Sequence, residues 1–500
     1  LTEKAVKKSG YTSRFGLLCV LIGGSVGTGN LWRFPRLVAN YGGGFILVMV
    51  TCAFLVAIPI IYVENFLGRA TRHSAPGAFR DTIGPKYSWM GTVSTIIYYL
   101  MTCYYMVVLA WCLRYAIMSL SKSYFGMDKL ALFTEITNGD IGTAVLWVVG
   151  LILLYICIRK QEALEKASSV IVPVLFVILI GLVIYALTLK GASGGLKYAF
   201  TIDYKSIFKP IIWLEALTQC AWSIGPGTMM MIASSKYTSR DEDITLNTRT
   251  QAFGDMSFAM LGTLCVLPCI FAFSPSTEAA AEVMKSGNNG LTFIGLTNMF
   301  EIMPAGNIVG TLFFICLSFA AFSSAALMTT CMSNILIDIG MKRTKASKIC
   351  VVAMAIIGIP SIISQDFLTN QDNAWGFGLV FGIVFLGFLT HKFGPEKMRT
   401  QFINPVSDIK VNKSFNFLTS RLAPIVTVVV LVAWCIQAIG WDEKWWNPIS
   451  TSSLGTMLYQ WIIVFIIAFA VNNKLNKCIK HNYFNGESFS DVPEEILNEE

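Results

Sequence analysis

The sequence predicts an all-α, polytopic membrane protein of about twelve transmembrane helices, built as a five-plus-five inverted repeat with helices 1 and 6 broken. Three observations carry that expectation. Apolar residues occupy 54% of the 500 positions and charged residues only 14%, against about a quarter charged in soluble domains. The apolar residues fall in dispersed runs of roughly 20, each long enough to cross a hydrocarbon core. Two of these runs, five spans apart, are interrupted in mid-span by glycine and proline.

Taken in order, the spans are expected at 14–38, 43–70, 88–120, 141–158, 166–190, 211–235, 245–273, 306–340, 347–363, 373–393, 421–440 and 453–473. The first ten form a core at 14–393, preceded by a segment at 1–13 and followed by two peripheral spans within 394–476 and a tail at 477–500. One set of alternate connections is rich in Lys and Arg: Lys4, Lys7 and Lys8, then Arg69 to Lys86, Arg159 and Lys160, Lys236 and Arg240, Lys342 to Lys348, Lys392 to Lys413, and Lys474 to Lys480. The other set holds only Lys122, Lys129, Lys190, Lys197, Lys205, Lys209, Lys285 and Lys444. The positive-inside rule makes the first set cytoplasmic, with both termini inside and the protein in the inner membrane. The net charge of +8 reflects that asymmetry and not a nucleic-acid footprint. Lys4 to Arg14 is basic and polar, and the apolar stretch beyond lacks a small-residue cleavage site, so no cleavable signal peptide is expected. Thirteen cysteines lie almost all within apolar runs and lack metal-ligand spacing, which reads as small hydrophobes. The polar, acidic stretch from Asn485 to Glu500 is expected to be disordered.

The interruption in span 1 is Gly23-Gly24-Ser25-Val26-Gly27-Thr28-Gly29-Asn30, and that in span 6 is Ser223-Ile224-Gly225-Pro226-Gly227-Thr228. Glycine and proline at this density cannot hold a continuous helix. Unwound backbone at membrane depth persists only where protein or a water-filled cavity satisfies its polar groups. Paired breaks in corresponding repeats point to a midplane binding site; two glycine patches for helix packing are the alternative. The free N–H groups of a restarted half-helix suit a carboxylate, and the unwound carbonyls suit a bare cation. Hard oxygen ligands without Cys or His favour Na⁺ over a transition metal. Ionisable residues inside spans are functional by default: Glu64 in span 2, Asp255 in span 7, Asp338 at the end of span 8. Arg33, past the first break, and Asp372, opening span 10, form a candidate pair over the outer side of the site, either as a gate or as a static salt bridge.

The residues resemble those of the neurotransmitter:sodium symporter family, whose bacterial members include leucine and tryptophan transporters. The resemblance covers spans 1–10. It rests on Ser13-Arg14-Phe15-Gly16, on Gly27-x-Gly29-Asn30-Leu31-Trp32-Arg33-Phe34-Pro35, and on Gly42-Gly43-Gly44, Tyr104-Tyr105, Gln219, Ser223 to Gly227 and Phe319 to Ser324. It implies a sodium-coupled symporter, not an enzyme, that takes up an amino acid by alternating access, with one or two Na⁺ ions. By the same resemblance the first sodium site would use the Ser25 carbonyl, Asn30, Ser223 and Asp255, and the second the Gly23, Val26 and Ala320 carbonyls with the Ser323 and Ser324 hydroxyls. Val50 and Ala259 stand where chloride-dependent members carry Tyr and Ser. The Asp255 carboxylate is therefore expected to supply the negative charge that chloride supplies elsewhere; an Asp satisfied by its own surroundings is the alternative.

Monoamine carriers of the family have Asp where Gly27 stands. Glycine leaves room for the substrate's own carboxylate, held by the Thr28 and Gly29 N–H groups, the first Na⁺ and the Tyr105 hydroxyl. The amine would meet carbonyls of Ser25, Trp222 and Ser223, and the side chain would face Met101, Trp222, Gly225, Thr228, Ser324 and Met328. Apolar, Met-bearing walls suit a large hydrophobic or aromatic amino acid, unless Trp222 refills the space. Trp222 matches the family's aromatic lid, Arg33–Asp372 its outer gate, and Lys8, Asp338 and Tyr237 its inner gate. Two departures stand out. Lys8 replaces the usual Arg, giving a point-charge contact instead of a bidentate fork. Ala163 replaces a Gly ten residues before Pro173, where unwinding of span 5 would accompany sodium release. An amino-acid sensor with little transport is the competing reading. A channel lacks its polar stripe, and an intramembrane enzyme lacks a nucleophile–base constellation.

Overall fold

The computed structural model describes residues 10–274, 276, 279–280, 283, 290–479 and 481–497. Lys4, Lys7, Lys8, Lys285 and Lys480 lie outside the described residues, and with them the expected inner-gate role of Lys8. Among the described residues ten helices are long and apolar enough to span a membrane: Gly43–Thr71, Pro85–Ser121, Ile141–Ile158, Gln161–Thr188, Ile244–Phe273, Gly306–Asp338, Arg343–Ile363, Gln365–Phe393, Ser414–Ile439 and Leu454–Cys478. Arg14–Ser25 and Thr28–Tyr41 form an eleventh crossing, bent by 69° at the first break. Pro210–Trp222 and Met230–Ser235, parted by the second break, form the twelfth. No strand occurs among the described residues.

Several boundaries carry a local cause. Ser13 caps span 1 by accepting the Gly16 N–H (3.0 Å), Asp140 caps span 4 through Thr143 (2.7 Å), and Asp243 caps span 7 through Leu246 (2.8 Å); each acceptor satisfies an N–H that the first helical turn leaves orphaned. Asp372 does not open span 10. It lies inside the helix Gln365–Gly378, which Ser364 caps; the polar run Gln365, Asp366, Thr369, Asn370, Gln371 had hidden that turn from hydropathy. Span 5 likewise begins at Gln161, ahead of its apolar run, because Leu164 and Glu165 are buried. Ala163 is therefore helical.

Burial sorts the spans into centre and periphery. The most apolar stretch of span 3 is 83% buried, whereas that of span 11 is 28% buried. Span 11 turns Val429, Val432 and Ile436 outward, and span 12 turns Ile462, Ile466 and Phe469 outward, as lipid-facing surfaces require. Spans 3 and 8 pack along each other through the centre. On the face opposite the basic connections, Lys129 reaches Glu301 (2.5 Å), and hydrogen bonds from Lys129 and the Gly126 N–H hold that carboxyl below its ordinary range.

The side bearing Arg69 to Lys86 and Lys342 to Lys348, the basic side, is closed by two devices that the sequence did not announce. Glu165 of span 5 accepts the Thr12 N–H (2.8 Å), the Ser13 N–H (3.0 Å) and the Thr12 hydroxyl (2.6 Å). It thus clamps the start of span 1, in space that exists because residue 16 is Gly. The second device is the tail, and the expectation of disorder fails there. Phe484 is buried between Phe66 and Phe402 (ring centroids 6.1 and 5.5 Å). Arg69 lies 4.3 Å over the Phe489 ring, Arg72 donates to the Ser490 carbonyl (2.6 Å), and Val492 and Ile496 are buried. Composition missed this because four spaced apolar residues suffice to dock an otherwise polar segment against a ready-made aromatic surface.

Removing a fully packed Phe ring costs about 3–5 kcal/mol, more than a short peripheral segment has in reserve. We therefore expect Phe484→Ala to release the tail while leaving the spans folded. Limited proteolysis should then cut within 481–497 in the variant and not in the parent; equal resistance in both would contradict the docking.

Candidate functional site

The first break is two residues of extended chain, Val26 and Gly27, between two helices. Helix Arg14–Ser25 ends at Val26, Gly27 is extended (φ −116°, ψ −174°), and the chain re-enters helix at Thr28. Side chains from other spans take up the groups freed there. The Tyr105 hydroxyl accepts from the Thr28 N–H (2.9 Å) and the Thr28 hydroxyl (3.2 Å). The Gly27 N–H donates to Asn30 Oδ1 (2.9 Å), and the Val26 carbonyl accepts from Ser324 (3.0 Å). A Cβ on Gly27 would come 2.9 Å from the Tyr105 hydroxyl and 3.3 Å from Ser324 Oγ, whereas a Cβ on Gly29 would meet nothing. Residue 27 must therefore be small for Tyr105 to reach Thr28.

The second break turns through left-handed backbone at Gly225 (φ +79°) and Gly227 (φ +85°), followed by Met229 (φ +65°). Glycine meets the first two demands without steric cost. Glu64 of span 2, singled out in the sequence only as an intramembrane carboxylate, accepts the Gly227 N–H (2.7 Å) and the Met231 N–H (3.1 Å). Gln251 donates to the Ile224 carbonyl (2.8 Å). Gly227 also packs so closely on Gly382 of span 10 that neither position has room for a Cβ.

Both expected oxygen clusters assemble. Asn30 Nδ2 donates to Asp255 Oδ1 (2.8 Å), to the Asp255 carbonyl (3.0 Å) and to Ser223 Oγ (3.1 Å); Ser223 donates to Asp255 Oδ2 (2.7 Å). Asp255 and Asn30 are fully buried. The Ser25 carbonyl lies 4.0 Å from where a Gly27 Cβ would stand, on the same side of the break. In the second cluster, Ser324 donates to the Val26 and Ala320 carbonyls (both 3.0 Å) and Ser323 to the Ala320 carbonyl (3.1 Å). Ser323 Oγ stands 3.7 Å from the Cβ position of Gly23. The second set consists of hard oxygens only and fits Na⁺. In the first, Asn30 turns its amide nitrogen to Asp255 and Ser223 while its oxygen accepts the Gly27 N–H, so its oxygen would have to turn inward to join Ser223 and Asp255 around an ion.

A cavity of about 610 Å³ runs from the first break to the loops opposite the basic side. Of the expected substrate-contacting residues, Ser25, Gly27, Thr28, Gly29, Met101, Tyr105, Trp222, Ser223, Gly225, Ser324 and Met328 line it. Thr228 does not: its hydroxyl turns back to the Gly225 carbonyl (2.7 Å), and Met230 takes the place on the wall. Met230 and Tyr98 were missed; Tyr98 sits on the Met101 face of span 3 by its three-residue spacing, a signal that was available. The Trp222 ring does not refill the pocket, since it lies against Gly376 of span 10 where a Cβ would meet its Cζ2 at 2.1 Å.

The gates differ from expectation in their partners. Arg33 does not pair with Asp372. It reaches Glu215 Oε2 (3.0 Å) and Gln219 Oε1 (2.7 Å), while Asp372 accepts from the Tyr104 hydroxyl (2.8 Å). The two halves of the expected pair stand apart across an open cavity, each held by a neighbour. Asp338 is held by Lys236 (2.8 Å) and by the Ser74 N–H and hydroxyl (2.6 and 2.5 Å). Tyr237 donates to Asn334 (3.0 Å) and accepts from Arg343 (3.1 Å). The basic side is thus latched while the opposite side is open.

The chain matches the sodium:neurotransmitter symporter family over residues 8–125 and 121–477, and it belongs to that family of sodium-dependent secondary transporters, which are not enzymes. An uncharacterised sodium-dependent transporter of Methanocaldococcus jannaschii is 28% identical over 445 residues, spanning 85% of this chain and 90% of that protein. The sodium-dependent neutral amino acid transporter B(0)AT2 of Rattus norvegicus is 24% identical over 327 residues, 56% of this chain and 44% of that one. Among solved structures, that of MhsT in complex with L-phenylalanine superposes with a TM-score of 0.71 at 24% identity, covering 85% of this chain and 99% of that one. The fold is shared with it, and the chain is a multi-pass membrane protein coupled to sodium.

Glu215 offers a direct test of the gate geometry. Glu215→Gln removes the charged partner of Arg33 and should shift the cavity toward closure, whereas Asp372→Asn should shift it toward opening. Spin labels at Thr134 and Gln437, both on the cavity wall, should report shorter and longer distances respectively. A shift in the same direction for both variants would rule out an exchange of Arg33 between the two carboxylates.

Proposed function

We propose that the chain is a symporter that takes up a large hydrophobic or aromatic amino acid with one or two Na⁺ ions, without need of chloride, by alternating access. The observation that carries this reading is the meeting of three chemistries at one break. The N–H groups restarting span 1 and the Tyr105 hydroxyl (2.9 Å from the Thr28 nitrogen) form a carboxylate seat. The Asn30–Ser223–Asp255 cluster adjoins it, and Met101, Met230 and Met328 wall the rest. That MhsT has been solved with L-phenylalanine, and that B(0)AT2 is a neutral amino acid transporter, agree with this substrate class.

In this reading the ligand enters through the cavity with its carboxylate toward Thr28, Gly29 and Tyr105. Sodium neutralises that carboxylate from the Ser25, Asn30, Ser223 and Asp255 oxygens. A second Na⁺ among Gly23, Val26, Ala320, Ser323 and Ser324 ties span 1 to span 8. Closure would swing Trp222 over the ligand and bring Arg33 from Glu215 to Asp372. Release to the other side would need Asp338 and Tyr237, with Lys8, to let go. The Asp255 carboxylate stands within 2.8 Å of Asn30 and 2.7 Å of Ser223, so the site carries its own negative charge and chloride is not required to balance Na⁺. We assign the basic side to the cytoplasm of an inner membrane, with residues 14–393 as the transport core and 394–476 as an appendage.

A second reading, an amino-acid sensor with little flux, draws on one feature: span 5 is helical through Ala163 and its Glu165 clamps the start of span 1. Vesicles loaded without Na⁺ and given an inward Na⁺ gradient separate the two. Accumulation of a labelled aromatic amino acid supports transport; sodium-dependent binding without accumulation favours the sensor. Replacing chloride by gluconate should leave uptake unchanged in the parent, whereas Asp255→Asn should make uptake depend on chloride or fail. Chloride dependence in the parent would overturn the role given to Asp255. Ser324→Ala, which removes one oxygen and leaves the Val26 carbonyl without its donor, should raise the Na⁺ concentration for half-maximal uptake about tenfold, in keeping with about 1–3 kcal/mol for an unmatched buried group.

A further inference from the structure

One polar group on the cavity wall has no task in the reading above. Tyr98 lines the same cavity as the carboxylate seat, and its side chain is 5% exposed. Its hydroxyl donates to Met230 Sδ at 3.5 Å, and thioether sulfur is a weak acceptor. The Thr228 hydroxyl beside it gives its proton to the Gly225 carbonyl (2.7 Å). That Thr228 hydroxyl is within reach of the Tyr98 oxygen but is engaged with the Gly225 carbonyl, and a hydroxyl oxygen can accept twice, so acceptor capacity remains at the cavity wall. Buried polar groups ordinarily find partners, and a bound ligand is the partner this position leaves room for.

The spacing says what that ligand end is. Tyr105, Met101 and Tyr98 follow at i, i−4 and i−7 and share one face of span 3. At about 1.5 Å per residue, Tyr98 stands roughly 10 Å along the axis from Tyr105. An extended tyrosine covers a comparable distance from carboxylate to phenol oxygen. Between the two hydroxyls the wall is thioether and small residues, Met101, Met328, Met230 and Gly225, which suits an aromatic ring.

We propose that Tyr98 is a specificity-determining residue at the far end of the substrate pocket: it accepts a hydrogen bond from an aromatic side chain that ends in a donor, favouring tyrosine over phenylalanine. This rests on the amino-acid reading given above and narrows it. A site that offers a buried acceptor loses that contact when the ligand lacks the donor, and the difference appears as discrimination between the two ligands.

The test needs no variant to begin. Calorimetric titration of the purified parent in saturating Na⁺ compares L-tyrosine, L-phenylalanine and 4-methoxy-L-phenylalanine, the last keeping the oxygen but not the donor. Tyrosine should bind about tenfold more tightly than phenylalanine, the worth of one good hydrogen bond, and the methoxy compound no more tightly than phenylalanine. Tyr98→Phe should bring the tyrosine-to-phenylalanine ratio to within about twofold of unity, through loss on the tyrosine side. Equal binding of tyrosine and phenylalanine by the parent overturns the proposal, as does a ratio that survives Tyr98→Phe. If no aromatic amino acid binds the parent while a smaller one does, the aromatic reading itself fails and Tyr98 with it. The ligand series on the parent decides the matter even if the variant does not fold.

Discussion

Every unwound backbone group in the middle of this protein has to find a polar partner, because lipid offers none. That requirement organises the molecule more than any single apolar contact does. Glu64 exists deep in span 2 to hold two N–H groups of span 6. Tyr105, Asn30 and Ser324 hold the break in span 1, and Gln251 holds a carbonyl of the other. These partners come from spans 1, 2, 3, 7 and 8, so the breaks pin the helices around them. The binding chemistry is what remains when those obligations are met: N–H groups and oxygens that the protein orients but does not fully consume.

The two faces of the protein are treated differently. Opposite the basic side, Arg33 and Asp372 stand apart and the cavity runs to the loops. On the basic side, Asp338 gathers three donors, Glu165 gathers four more, and the tail lies across the ends of span 2. Most of these latches are short-range and charge-assisted, the stronger class of hydrogen bond, yet each involves few residues. A structure held shut by several small latches can open by releasing them together, which a single extended interface could not do.

Much of this was legible in the sequence, and the limits have physical reasons. Long apolar runs and dense glycine are local signals, so spans 3 and 4 and the second break were readable to within a residue or two. The first break is narrower than its glycine run, with Gly23 to Ser25 and Thr28 to Asn30 helical. The oxygen clusters were readable through the family motifs, because Asn30, Ser223 and Ser324 sit at fixed places within them. Partners of long side chains were not. Arg33 can reach Glu215 or Asp372 with equal ease in sequence terms, and only the open geometry selects Glu215. Thr228 turned away because its hydroxyl bonds its own backbone, a local competition familiar for Ser and Thr. The tail was misread because net charge and polarity describe a segment's average, while docking depends on where its few aromatic residues fall.

The pocket wall made by Met101, Met230 and Met328 has a consequence beyond shape. Thioethers are flexible and polarisable, so the wall can mould to several side chains without a change in backbone. The same sulfurs line a cavity that oxidants can enter with the solvent. Conversion to sulfoxide would place strong dipoles where an apolar ring should rest. Fold and sodium clusters, made of oxygens and backbone, would survive that chemistry. A cell under oxidative stress would then hold an intact transporter whose selectivity had been rewritten, until sulfoxide reduction restored it.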